Sequence, residues 1–328
     1  MIKKINNKFF FTIVIPVKNK NDYLIENLDN CKNLNYDSFE ILVFSDKYFK
    51  YDDKKVKIIP TGSIGPAKKR DLAVKYAKGD ILAFLDDDAY PAKDWLNNSL
   101  KRFKNKNISA VCGPAVTPKS DNIIQRLSGE IYSSFLASGK TVFRYRPINK
   151  VFEVDDFPSV NFFIRKSDFK AIGGFDSNFW PGEDTKLCLD LINSGKKIIY
   201  DPEILVFHHR RKSFKKHLIQ VFSYAYHRGY FVKNFPKNSA KFSYFIPTMF
   251  LLFLISGFII SFFNIYISYI YIAILLIYLL LLIINSIARF IANKSYLISL
   301  LIIPGIFLTH ILYGSGFIKG LLSRRVYR

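Results

Sequence analysis

Between Phe242 and Ala288 lie 47 consecutive residues without a charged side chain. A helix that crosses the hydrocarbon core of a bilayer needs about 20 apolar residues, and a core helix of a water-soluble domain has use for about 12. The stretch is therefore expected to be embedded in a membrane, as two spans of roughly 244–263 and 267–287 divided near Asn264. A second uncharged stretch, Ser295–Ile318, is long enough for a third span but contains Pro304-Gly305.

Charge sharpens this division. All 26 acids fall within the first 203 residues, alongside 33 Lys and Arg; the remaining 125 residues hold 15 bases and no acid. Bases beside lipid-grade sequence imply contact with anionic headgroups, and nucleic acid is not the expected partner. By the positive-inside tendency, the basic segment before Phe242 and the Arg289–Lys294 segment face the cytoplasm. A full third span would send Lys319, Arg324, Arg325 and Arg328 to the other face. The third segment is accordingly expected to be a broken or shallow helix. Residues 213–241 read as an amphipathic, basic juxtamembrane helix, with Leu218, Val221, Phe222 and Ala225 at helical spacing.

The three cysteines, Cys31, Cys112 and Cys188, are distant and odd in number, which fits buried thiols in a reducing compartment better than a disulfide framework or metal pair. Lys3-Lys4 followed by an apolar run imitates a secretory signal, but the run leads into Pro16-Val17-Lys18-Asn19 without a small-residue cleavage site and reads as a first strand.

Upstream of the membrane segments, short apolar runs (Phe11–Val17, Glu40–Phe44, Val56–Ile59, Ile81–Leu85, Ala110–Cys112) alternate with helical stretches (Asp22–Leu34, Pro66–Lys78, Lys93–Phe103). This alternation predicts an α/β fold with a mostly parallel, Rossmann-like sheet and helices on both faces. Ligands of such sheets bind at the carboxyl ends of strands. The residues there are polar: Asn19, Ser45-Asp46, and Asp86-Asp87-Asp88.

Three adjacent carboxylates repel one another unless solvated or neutralised by a cation, and oxygen ligands favour Mg²⁺ or Mn²⁺. Gly65-Pro66 opens a helix bearing Lys68, Lys69 and Arg70, which suits a diphosphate. Gly182-Glu183-Asp184 opens another helix, where acids are favoured by the helix dipole but can also serve as a general base. His208 closes a strand-like run as a possible metal ligand.

Taken in order, Thr12–Asn19, Ser45-Asp46, Gly65–Arg70, Gly79–Asp88, Gly173-Gly174-Phe175-Asp176 and Gly182-Glu183-Asp184 resemble the family-2 nucleotide-sugar glycosyltransferases of GT-A fold, over roughly residues 9–212. The resemblance implies a role for each position. Pro16, Val17, Asn19 and Gly65 would belong to the nucleotide pocket. Asp46 would meet the base, and Arg70 the base or diphosphate. Asp86 and Asp87 would face ribose or sugar. Asp88 would bind Mn²⁺ or Mg²⁺, with His208 as a further ligand. Asp184 would be the base, with Glu183 beside it, and Asn161 and Trp180 are weaker acceptor-site candidates. The implied reaction is inverting, metal-dependent transfer of a sugar from a UDP-, dTDP- or GDP-linked donor to a hydroxyl of a lipid-linked or glycan acceptor.

Two departures from the family pattern matter. Arg70 is followed by Asp71 where the family often has Asn, and the Gln-x-x-Arg-Trp signature of processive synthases is absent, which favours addition of one sugar. Transfer to a polyprenyl phosphate is the alternative within the class. A nucleotidylyltransferase and a non-catalytic membrane scaffold are the alternatives outside it. The expected organisation is a transferase domain over 1–212, the juxtamembrane helix over 213–241 and membrane segments over 242–328, on the cytoplasmic face of the cell membrane.

Overall fold

A computed structural model describes residues 9–179 and 182–325. Its strands are β1 (Phe11–Val17), β2 (Phe39–Ser45), β3 (Val56–Pro60), β4 (Ile81–Leu85), β5 (Ala89–Pro91), β6 (Ile108–Cys112), β7 (Ala115–Val116), β8 (Phe152–Val154), β9 (Asn161–Arg165), β10 (Lys197–Tyr200) and β11 (Val206–His208). Its helices are α1 (Asp22–Lys32), α2 (Pro66–Asp71), α3 (Ala73–Tyr76), α4 (Trp95–Phe103), α5 (Ile123–Tyr132), α6 (Phe135–Ser138), α7 (Lys166–Ala171), α8 (Glu183–Asn193), α9 (Phe214–Asn234), α10 (Pro236–Ser239), α11 (Phe242–Ser261), α12 (Ile265–Asn293) and α13 (Tyr296–Leu322). They form two compact units. The first comprises the chain up to Val116 with Arg146–His208; the second comprises Thr117–Tyr145 with the chain from His209 onward.

The first unit is built on a sheet of order β3-β2-β1-β4-β9-β6-β10-β8. β1, β2, β3 and β4 run parallel; β9 is antiparallel to both β4 and β6. Every residue of β1, β4 and β6 is buried, as expected for strands covered on both faces. Pro16 lies beyond Val14, the last β1 residue paired with β4, so its missing N–H interrupts no ladder on that side. A second, three-stranded sheet of order β5-β11-β7 carries His208 at the end of its central strand. Sequence pattern alone did not mark β5, β7 or β8: two or three residues carry too little periodicity to read. The single helix expected over Pro66–Lys78 is two short ones, α2 and α3, meeting at Leu72.

Asn161 is not an acceptor contact. It is fully buried at the start of β9; its side-chain carbonyl accepts from the Trp95 indole N–H at 2.8 Å. Its amide donates to the carbonyls of Gly113 and Ile204, both at 2.7 Å, and lies 3.2 Å from that of Pro114. This polar residue at the start of an apolar strand thus satisfies the backbone of crossing loops in the interior. Trp180, the other acceptor candidate, lies outside the described residues.

In the second unit, α11, α12 and α13 are long and apolar enough to cross a membrane. The break expected at Pro304-Gly305 is absent: α13 is continuous through Pro304. Gly305 gives room rather than a bend, since a Cβ there would sit 2.7 Å from the Ile131 side chain. A proline removes one intrahelical hydrogen bond, a loss that packing on neighbouring helices outweighs here.

Asn161→Ala should strip the Trp95 indole and the interior carbonyls of their partner. At about 1–3 kcal/mol per orphaned group, we expect a loss of at least about 3 kcal/mol. Thermal unfolding in detergent should report it as a midpoint about 6–12 °C lower.

Candidate active site

The carboxyl ends of β1, β2 and β4 bring the sequence-selected residues together. β4 delivers Asp86, Asp87 and Asp88 from a wholly apolar strand. Asn27 of α1 donates to the Asp86 carbonyl at 2.9 Å, and Asn21 donates to the Asp87 carboxylate at 2.8 Å, so the turn is pinned from below. Burial, helped by the neighbouring Asp88, pushes Asp87 up to about 6. Asp88 Oδ1 lies 3.1 Å from His208 Nε2. The ligand atoms of Asp86, Asp88 and His208 all fall within 4.8 Å of one another, close enough to surround one cation. Asp86 thus joins the pair the sequence selected. Two carboxylates and an imidazole form a hard, mixed O/N donor set that fits Mn²⁺ or Mg²⁺.

Arg70 has a different place from the expected one. Its guanidinium is 5% exposed and lies between two acids: Nη2 donates to Asp86 at 2.6 Å and Nη1 to Glu183 at 3.2 Å. The Phe175 ring lies against it at 5.6 Å. A cation so engaged organises carboxylates; it does not lie open for a diphosphate. The reason is local: α2 runs from Pro66 to Asp71, and its last turn carries Arg70 buried.

Glu183 and Asp184 open α8. Gly182 precedes them at φ 136°, a conformation that favours glycine, and its N–H donates to Glu183 at 2.9 Å. Glu183 is 5% exposed. Burial raises its pKa, aided by Asp184 and opposed by Arg70. Asp184 is half-buried. It accepts from the Ser159 backbone N–H at 3.2 Å and from the Thr185 N–H at 3.1 Å. Burial and the nearby Asp156 raise its pKa, which moves a carboxylate towards the range useful for a base.

Asp46 carries a partner that the sequence did not disclose. Lys69, 3% exposed, donates to the Asp46 carboxylate and, at 2.6 Å, to the Val17 carbonyl. It ties the ends of β1 and β2 together, and its position just before Arg70 in a Gly-Pro helix was the only signal. Pro16 and Val17 are buried, whereas Asn19 is exposed. Gly65 is the N-cap of α2.

Asp71 has a structural task. Its Oδ1 accepts from the Phe175 N–H at 2.7 Å, and Gly174, at φ 78°, leaves the room: a Cβ there would lie 2.5 Å from that oxygen. Burial pushes Asp71 up to about 6. A folded-state value above the ordinary 3.8 means that the folded chain holds this proton more tightly. Its contribution to stability is therefore fullest below about pH 4 and is lost as pH rises through about 6. Asp71→Asn keeps an acceptor for Phe175 without the charge. Its thermal midpoint relative to the unaltered chain should rise between pH 5 and pH 7.5; a constant difference across that range would refute the assignment.

Comparison with known proteins agrees with this geometry. Residues 12–173 match the family described as Glycosyl transferase family 2. The chain is 26% identical over 336 aligned positions to a dolichyl N-acetyl-alpha-D-glucosaminyl phosphate 3-beta-D-2,3-diacetamido-2,3-dideoxy-beta-D-glucuronosyltransferase of Methanococcus voltae, covering 96% of this chain and 98% of that protein. It is 31% identical over 209 residues to a pre-mycofactocin glycosyltransferase of Mycobacterium tuberculosis, covering 61% of this chain and 43% of that one. A mannosyltransferase from Pyrobaculum calidifontis, solved with GDP-Man and Mn²⁺, superposes with a TM-score of 0.52 at 18% identity, over 68% of this chain and 63% of that chain. At that identity the likeness speaks for the GT-A fold alone. The nucleotidylyltransferase and scaffold alternatives are thereby set aside. Residues 12–173 thus carry a glycosyl transferase family 2 domain, and the chain is a glycosyltransferase.

Proposed function

We propose that the chain catalyses an inverting, metal-dependent transfer of one sugar from a nucleoside diphosphate sugar to a hydroxyl group of a lipid-linked acceptor at the cytoplasmic face of a membrane. The observation that carries this reading is the Arg70 bridge. One guanidinium reaches both Asp86, at the end of β4, and Glu183, at the start of α8. The cation-binding acids and the candidate base therefore belong to one constellation.

In this reading Asp184 takes the proton of the acceptor hydroxyl. The freed oxygen bonds to the anomeric carbon while the bond from that carbon to the diphosphate oxygen breaks, and the electron pair leaves with the nucleoside diphosphate. One displacement inverts the centre, and no second carboxylate nucleophile is needed. Asp86, Asp88 and His208 would hold the cation, which supplies positive charge for the leaving diphosphate. Asp46, backed by Lys69, would read the base, and Arg70 would keep Asp86 and Glu183 in register. The name of the Methanococcus voltae relative, whose acceptor is a dolichyl-linked sugar phosphate, supports a lipid-linked acceptor. The absent processive signature supports single addition, and the basic segments flanking the hairpin support a cytoplasmic face.

Purified full-length chain, offered UDP-, dTDP- and GDP-sugars with membrane lipid extract, should release nucleoside diphosphate in the presence of Mn²⁺. Asp184→Asn should cut that rate by at least about 10²-fold while leaving protection against melting by donor and Mn²⁺ intact. Full activity in the variant would point to a phosphate acceptor, which needs little help from a base, and would overturn the hydroxyl reading. Asp88→Ala should abolish the Mn²⁺-dependent part of the donor's protection, and His208→Ala should raise the Mn²⁺ concentration required for it.

A further inference from the structure

The neighbours of α13 do not fit a membrane span. Near its start, the Ser299 carbonyl accepts from the Ser286 hydroxyl of α12, and Ile298 and Ile302 pack with Leu282. At mid-helix, His310 Nδ1 lies 2.9 Å from the Tyr278 hydroxyl. Further on, the Gly314 carbonyl accepts from Thr248 of α11 at 3.4 Å, and the Phe317 ring meets that of Phe245 at 4.9 Å. Ser286 sits just before Arg289, where charge resumes in α12; Phe245 sits just after Lys241, the last charge before α11. The Ser299–Phe317 stretch, about 27 Å of helix, thus begins and ends near the basic ends of the two-helix hairpin. A spanning helix would carry Phe317 towards the turn at Asn264 instead.

α9 supplies an independent reason. A Cβ at Gly316 would sit 2.6 Å from the Phe222 carbonyl, and one at Gly320 would sit 2.0 Å from that of Tyr226. His217 Nε2 lies 3.4 Å from the Thr309 hydroxyl, and Lys233 donates to the Ser323 carbonyl at 2.6 Å. α9 therefore runs parallel to and against the second half of α13. It carries Lys215, Lys216, Arg228 and Lys233. Were α13 to cross the bilayer, α9 would be drawn in beside it, at about 2.5–3.5 kcal/mol for each charge near the centre. α5, which bears Arg126 and Glu130, packs Leu127 and Ile131 on Ile298, Ile302 and Ile306 and would be drawn in as well.

Besides Tyr296 at its first turn and Lys319 and Leu322 at its last, the exposed residues of α13 form one apolar stripe: Leu297, Leu300, Pro304, Phe307 and Leu308. From Ile311 to Ile318 no residue is exposed. The stripe is about 16 Å long, roughly half of a hydrocarbon core of about 30 Å.

We infer that α13 is not a third span but lies shallowly along the membrane surface, side by side with α9, as a two-helix platform anchored by the α11–α12 hairpin. Its ligand is the bilayer interface: the stripe enters the acyl boundary while the bases of α9 and the Lys319, Arg324 and Arg325 end meet anionic headgroups. Lys319 and Arg324 then stay on the same side as Lys241 and Arg289, and the positive-inside tendency is obeyed. Only insertion of the hairpin is required, so failure of the proposed reaction would leave the platform standing.

Nitroxide labels at Leu297→Cys and Leu308→Cys, on the full chain in phosphatidylethanolamine–phosphatidylglycerol liposomes, test this by collisional depth measurement. The native cysteines are buried, and the unaltered chain serves as the blank. Both labels should sit at the same depth within a few ångströms, whereas Ile270→Cys and Ile283→Cys in α12 should differ by about 20 Å. A depth difference of about 16 Å between the α13 labels, with the α12 pair behaving as expected, would establish a third span and overturn the platform.

Discussion

A buried cation between acids from distant parts of the chain organises the first unit's site. Arg70 reaches Asp86 and Glu183, which are 97 residues apart in sequence, through a guanidinium almost closed to solvent. Removing one partner of such a group strands a buried charge, at a cost of about 3–5 kcal/mol. The arrangement is held by lesser contacts around it. Phe175 lies against the guanidinium, Asp71 fixes the Phe175 backbone, and Gly174 makes the space for Asp71. Lys69, next in the same helix, ties the ends of β1 and β2. The six residues of α2 thus connect three strand ends with the start of α8.

This arrangement separates two duties that a reading of motifs merges. A basic helix behind a Gly-Pro turn suggests phosphate recognition, yet Lys69 and Arg70 are both turned inward and occupied by carboxylates. In the proposed reaction, positive charge for the leaving diphosphate would then fall to a cation, which Asp86, Asp88 and His208 are close enough to hold. Asp184 remains half-buried with a raised pKa, supported by backbone N–H groups of Ser159 and Thr185 and not consumed by an ion pair with Arg70.

In the second unit, hydropathy and packing select different roles for helices of similar composition. Only 6% of the most apolar stretch of α11 and of α12 is buried, against 44% for α13. Glycines decide this: Gly316 and Gly320 admit the backbone of α9, Gly314 that of α11, and Gly305 the side chain of Ile131. Pro304-Gly305, which reads as a helix break, marks a crossing point instead.

The sequence by itself determined the strands whose apolar runs are buried on both faces, β1, β4 and β6 among them, because burial on both faces dictates composition residue by residue. It determined the acids at the end of β4 and at the start of α8, because strand ends and helix starts are local features. It also marked residues 242–288 as candidate membrane spans, since a water-soluble core has little use for so long an uncharged run. Only the tertiary structure decided which charges meet. Whether Arg70 faces phosphate or carboxylate, whether Asp46 stands alone or with Lys69, and whether Asn161 serves a ligand or the interior all depend on partners dozens of residues away. It likewise decided the surroundings of α13, whose apolar composition fits lipid and protein equally well; the glycines that bring α9 against it have no side chain for a hydropathy pattern to register.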